Sequence, residues 1–124
     1  MTDGVKDSVE RRDIMRINSD MLRGFHDLMI LYRLSKGESY GYEISKYIRD
    51  RTDGVYTIRE TTLYSTFNRL EKNNLVSSFS KEKTKGRKRT YYKLTSEGEE
   101  RLNQLNADWE TTQKIINEFT LGSE

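Results

Sequence analysis

The chain has 124 residues, enough for one domain, and a net charge of only +2. Charged side chains make up 34% of it and hydrophobic ones 33%, so a lone chain has a thin core and gains by association. It has no cysteine, hence no disulfide and no thiolate metal site, and without a signal-peptide core or a span-length apolar run it reads as soluble and cytoplasmic.

Residues 1–19 mix charges around Val9, Ile14, Met15 and Ile17, too few apolar positions for a stripe. They read as a flexible arm, either solvated or reaching a partner subunit or DNA through Arg11, Arg12 and Arg16. A helix is expected over 20–36, capped by Ser19 or Asp20 and stopped by Gly37. Leu22, Phe25, Leu28, Met29 and Tyr32 recur along it at helical spacing. Met21, Ile30, Leu31 and Leu34 widen the stripe, so one side is expected to face its own domain and the other a second subunit. His26 is the only histidine; standing alone, it reads as a packing or surface residue, not a catalytic base.

Residues 40–52 are the next expected helix, with Ile44, Tyr47 and Ile48 inward and Asp53-Gly54 ending it. Gly41 lacks a Cβ and lets the helix start lie close to its neighbours. Tyr40 and Tyr42 offer hydroxyls to phosphate; half-buried packing is their plainer use. The short β-branched run 55–58 is expected to be a small third strand on the edge of a later hairpin.

An amphipathic helix follows over 59–74, with Leu63, Phe67 and Leu70 on one face. Thr57 and Glu60 read as a capping box. Asn73-Asn74 ends the helix, because asparagine tolerates the left-handed conformation. The opposite face carries Thr61, Thr62, Ser65 and Asn68, bordered by Tyr64 and Arg69. Hydroxyls and an amide suit base edges and phosphate, although an ordinary polar helix face has the same composition. Arg59 puts a cation at the helix start, unfavourable for the dipole by a few tenths of a kcal/mol but useful beside phosphate.

Two β-forming runs, 75–80 and 89–94, flank a polar basic stretch with Gly86 as its tip. Lys85, Arg87, Lys88 and Arg89 stand beside that tip, within reach of DNA backbone or a minor groove. By parity Tyr92 and Leu94 share the core face, and Arg89, Tyr91 and Lys93 the other. Residues 81–93 hold seven basic side chains against Glu82, whereas 95–124 hold seven acids against Arg101 and Lys114. One end of the molecule is therefore expected to seek polyanions; a solvated lysine-rich loop is the plain alternative.

Thr95 is the expected cap of a last helix, with Glu97, Glu99 and Glu100 at its positive end. Leu102, Leu105, Trp109, Thr112, Ile116 and Phe119 then recur at spacings of 3 and 4, the seam of a two-helix coiled-coil contact. With the small domain already complete, this seam predicts a homodimer that packs on the first helix (Leu22, Phe25, Met29) and on its own copy. Folding back on its own domain is the alternative, and Trp109 reads as a core anchor of the dimer.

Several ordered motifs resemble the winged helix-turn-helix of the PadR family of bacterial transcriptional regulators. They are Tyr40-Gly41-Tyr42-Glu43-Ile44, Thr62-Leu63-Tyr64, Arg69-Leu70-Glu71 and Gly86-Arg87-Lys88-Arg89-Thr90-Tyr91-Tyr92-Lys93-Leu94-Thr95. The resemblance spans roughly 21–119 and is closest to small members with a single C-terminal helix, among them multidrug-resistance repressors. It implies a mainly α fold with a small β-hairpin: a winged helix-turn-helix over 20–94 and a long dimerisation helix over 95–124. It implies that 40–52 is the first helix of the helix-turn-helix, and that 59–74 is the recognition helix.

It also implies a homodimeric repressor of a palindromic operator in double-stranded DNA. Multidrug-responsive members stack planar aromatic drugs on a tryptophan matching Trp109, which implies a small aromatic inducer here. The chain departs from the family at Arg59, where serine or asparagine is usual, and at Ser65, where proline is common. No cofactor, metal or catalytic residue is expected: there is no phosphate-cradling glycine loop, zinc-binding histidine pair or nucleophile elbow. The competing reading is a winged-helix protein–protein interaction module that works through its acidic helix.

Overall fold

The computed structural model describes residues 19–122, and the side chains of 24–122. The N-terminal arm, the Ser19/Asp20 cap and the Leu22 side chain lie outside the described residues. The elements run α1 (Ser19–Leu34), β1 (Ser39–Tyr40), α2 (Gly41–Arg51), α3 (Glu60–Lys72), β2 (Val76–Glu82), β3 (Lys88–Leu94) and α4 (Ser96–Leu121). The strands form one antiparallel sheet in the order β1-β3-β2. Among the described residues this makes four helices and three strands, the winged-helix fold expected, with a long helix after the wing.

Local chemistry accounts for most boundaries. α1 ends before Gly37, whose φ of +136° suits only glycine. α2 ends at Asp53-Gly54, both at positive φ, and Asn74 follows α3 at a φ of +62°. Thr95 caps α4 by accepting from the Gly98 N–H at 2.9 Å, and its hydroxyl donates to the Asn74 carbonyl at 2.7 Å. One threonine thereby joins the end of α3 to the start of α4.

The core is buried between α1, α2, α3 and the inner face of the sheet: Ile30, Leu31, Leu34, Ile44, Ile48, Leu63, Phe67, Leu70, Val76 and Tyr92. Phe67 lies flat on Tyr92, ring centroids 4.0 Å apart, which puts Tyr92 inward as its parity requires. Gly41 lies beneath the Tyr64 side chain, where an added Cβ would meet the phenol. That close approach is what the glycine at the start of α2 allows.

Three expectations are corrected. The third strand is Ser39–Tyr40, which pairs with Tyr91 and Tyr92, and not 55–58. The backbone of 55–58 is used elsewhere. Val55 N–H reaches the Thr52 carbonyl at 2.9 Å, and Tyr56 exchanges two hydrogen bonds with the Thr52 hydroxyl, leaving Ile58 to drop into the core. There is no Thr57–Glu60 capping box either. Arg59 occupies the N-cap position in extended conformation and makes no side-chain cap bond, so Thr57 lies outside the helix. Finally, Leu102 is only 5% exposed within its own chain.

Leu102 therefore cannot belong to a seam between subunits. The first turns of α4 fold back on the domain, and Leu105 and Met29 are partly buried against the same core. Phe25 likewise meets Trp109 edge-on inside the chain, at 5.2 Å. The seam left uncovered starts near Trp109 and continues through Thr112, Ile116 and Phe119.

His26 is a packing residue, 7% exposed, with Nε2 2.5 Å from the Tyr56 hydroxyl and its ring stacked on the phenol. Burial lowers its pKa; neighbouring Asp27 raises it, and Arg69 adds to the lowering. The folded chain thus binds a proton at His26 less readily than the unfolded chain does. Stability should fall as pH drops below the ordinary histidine value of 6.5 toward the lowered folded value. Thermal melts from pH 7.5 to 5.5 should show this slope in the native chain and a flatter one in His26→Gln. Parallel slopes would show that His26 contributes nothing.

Candidate nucleic-acid interface

Because Leu63, Thr66, Phe67 and Leu70 of α3 point into the core, Thr61, Ser65 and Asn68 are exposed on the far side, with Thr62 half-buried beside them. The Ser65 hydroxyl donates to the Thr62 carbonyl at 3.0 Å, which leaves its lone pairs facing outward. Arg59 stands exposed at the start of the helix. Tyr42, on the first turn of α2, is 64% exposed, so its hydroxyl is open to solvent. Tyr64 is half-exposed, with its phenol over Gly41.

The wing extends from the sheet as β2 and β3, in register from Val76↔Leu94 to Glu82↔Lys88. Its turn is closed by Lys83 N–H to the Arg87 carbonyl at 2.6 Å and Arg87 N–H to the Thr84 carbonyl at 3.1 Å. Lys85 and Gly86 both take positive φ, +52° and +78°, so Gly86 is the tip as expected. Among the described residues, Lys83, Lys85, Arg87 and Lys88 enter no ion pair. These four cations are exposed at the end of a two-stranded arm, with Glu82 across the strands from Lys88.

Other cations that the sequence grouped with them are engaged by partners within the chain. Arg89 lies over the Tyr40 ring at 3.7 Å, and Tyr40 in turn meets Tyr91 edge-on at 5.2 Å. Arg89 and Tyr40 therefore brace the root of the wing against β1. Lys81 pairs with Glu38 and sits over Tyr91. Arg69 forms a two-pronged bond with Asp27 of α1, at 2.8 and 2.6 Å, instead of bordering the open face. These partners lie far away in sequence and no local pattern marks them.

α3 and the wing thus present a polar helix face and a cationic finger, while the exposed apolar residues Ile115, Ile116, Phe119 and Leu121 line the far part of α4. Among the described residues no helix is long and apolar enough to cross a membrane.

The PadR-like transcriptional regulator family matches residues 30–104, which takes in β1 through the first turns of α4. A protein of Lysinibacillus sphaericus described as uncharacterized is 39% identical over 108 residues, 87% of this chain and 99% of its own. A transcriptional regulator from Clostridium thermocellum is 52% identical, with a TM-score of 0.76 over 84% of this chain and 98% of its own. A PadR family transcription regulator from Clostridium difficile is 35% identical, with a TM-score of 0.68 over 77% and 97%. A PadR-like regulator from Bacillus cereus is 32% identical, with a TM-score of 0.71 over 86% and 100%. PadR proteins are regulators of transcription and not enzymes. By sequence over most of its length, and by fold, this chain belongs to the PadR-like family of DNA-binding transcriptional regulators.

Proposed function

We propose that the protein is a cytoplasmic homodimeric repressor that binds a palindromic operator. Each subunit would lay α3 in a major groove, with Thr61, Thr62, Ser65 and Asn68 toward the base edges and Arg59, Tyr42 and Tyr64 beside the phosphates. Two such helices about a two-fold axis read successive grooves about one helical turn apart. The wing tip, Lys85 to Lys88, follows phosphate or the adjacent minor groove. Tyr40, Arg69 and Arg89 serve this face by holding it in shape.

The observation that carries this reading is an outward polar α3 face together with four wing-tip cations that enter no ion pair among the described residues. Residues 20–94 act as the DNA-binding unit, the uncovered part of α4 as the dimerisation element, and 1–19 as an arm. The test is an electrophoretic shift with genomic fragments over a range of salt. A shift that weakens steeply with salt supports it; no salt-sensitive shift would favour an interaction module instead.

We further propose that a small planar aromatic molecule stacks on Trp109 between the two α4 helices and releases the DNA. Trp109 is 39% exposed and braced by Phe25 on one side, which supports this role. It is the only tryptophan, so fluorescence reports on it alone. A planar aromatic dye should quench native emission saturably and dissociate the protein from its duplex. Trp109→Ala should lose the dye-induced dissociation or weaken the dimer; a variant unchanged in both would remove the residue from either role.

A further inference from the structure

Three consecutive residues of α1 hold three different parts of the molecule. Phe25 meets Trp109 of α4 edge-on at 5.2 Å. His26 bonds Tyr56, in the segment leading into α3, at 2.5 Å. Asp27 holds Arg69 of α3 through both carboxylate oxygens, at 2.8 and 2.6 Å. Successive helix positions turn by about 100°, so neighbours on one helix naturally grip elements on different sides.

The Asp27–Arg69 bond has the geometry of a positioning contact. Its two parallel N–H···O bonds fix direction as well as distance. The carboxylate is largely buried, at 13% side-chain exposure, and the guanidinium keeps 37%. Arg69 lies one turn beyond Ser65 and one residue after Asn68, both on the open face. A rotation of α3 about its axis would sweep those side chains across the base edges. The fork, anchored on α1, resists that rotation better than apolar packing alone, which is not directional.

We propose that Asp27 is a positioning residue for the reading helix, acting through Arg69, and that α1 links this contact to Trp109 by way of Phe25. Asp27 touches no DNA; it sets the angle at which α3 presents Ser65 and Asn68. The inference rests on the proposed DNA-binding role. It differs from a simple phosphate contact at Arg69, because it assigns the effect to specificity and not to charge.

The test uses the duplex that the full-length native protein selects from genomic DNA, and a scrambled duplex of equal length. Asp27→Asn should lower affinity for the selected duplex about tenfold, the loss of roughly one base-edge contact. Affinity for the scrambled duplex and the slope against salt should stay as in the native protein. All assays are run below each variant's own melting transition. Joining Asp27→Arg with Arg69→Asp should recover part of the selected-to-scrambled ratio that either single change loses. The selected duplex should also shift native Trp109 emission, and fail to do so in Asp27→Asn, since coupling between two sites is reciprocal.

An unchanged ratio in Asp27→Asn overturns the positioning role. So does tighter binding of both duplexes, with a salt slope lower by about one per subunit in Arg69→Ala, because Arg69 would then be a phosphate ligand that Asp27 merely occupies. Native Trp109 emission that ignores the duplex overturns the link through Phe25. A native protein that selects no duplex overturns the DNA-binding role and this inference together; one that selects a duplex while Asp27→Asn keeps its ratio overturns this inference alone.

Discussion

Replacing Arg87 and Lys88 by alanine is expected to weaken binding to every duplex, matched or scrambled, by on the order of fifty-fold per bound subunit at 0.1 M salt. Both side chains are exposed at the wing tip and enter no ion pair among the described residues, so each is free to displace a counterion from phosphate. Each phosphate contact contributes about 0.9 to the slope of log affinity against log salt, and the double variant should lose about two such contacts per subunit, about four per dimer. The fold should not change, because the turn is closed by backbone bonds that do not involve these side chains. Arg89→Ala makes the control. That guanidinium lies on Tyr40, so its loss should loosen the wing root and lower the melting temperature, which the tip variant should not do. A double variant with the native salt slope would contradict phosphate contact at the tip.

Which features were legible in the sequence follows from how far apart the interacting residues lie. Gly86 at the wing tip, Asn74 after α3 and the Thr95 cap each depend on neighbours within a few positions. The stripes of α2 and α3 needed only helical spacing. β1, by contrast, is two residues whose strand character exists only because Tyr91 and Tyr92 arrive beside them. The β-branched run 55–58 had the better strand composition, but Thr52 captured its backbone.

The candidate interface divides in the same way. The exposed faces of α3 and the wing tip could be read from parity and spacing. The roles of Arg69 and Arg89 could not, because a cation's partner can stand at any distance along the chain: Asp27 and Arg69 are 42 positions apart. The place of Leu102 is hidden for a related reason. A stripe at spacings of 3 and 4 says that a face is buried, not by which chain, and the sheet end and α1 cover the first turns of α4 before any partner could.

Beyond Trp109 that cover ends. Phe119 is 85% exposed and Ile115, Ile116 and Leu121 are all more than half exposed, with no part of the described chain over them. Burying one such side chain contributes about 1.5–3 kcal/mol, so four of them repeated about a two-fold axis are ample reason to associate. Ile116→Asp together with Phe119→Asp is therefore expected to turn the proposed dimer into a monomer of 14.7 kDa in sedimentation. Two carboxylates per subunit would have to be desolvated facing their symmetry copies, without partners. The winged domain should still melt cooperatively, because its core around Phe67, Ile30 and Leu31 lies among other elements. Binding to the selected duplex should fall by about a hundredfold or more, because one reading helix no longer raises the local concentration of the other at its half-site. Wing-tip contacts persist in each monomer, so binding to scrambled duplex should fall much less than binding to the selected one. A variant that still sediments at twice the chain mass would sink the α4 interface; a true monomer that keeps native affinity for the selected duplex would sink the two-headed reading of the operator.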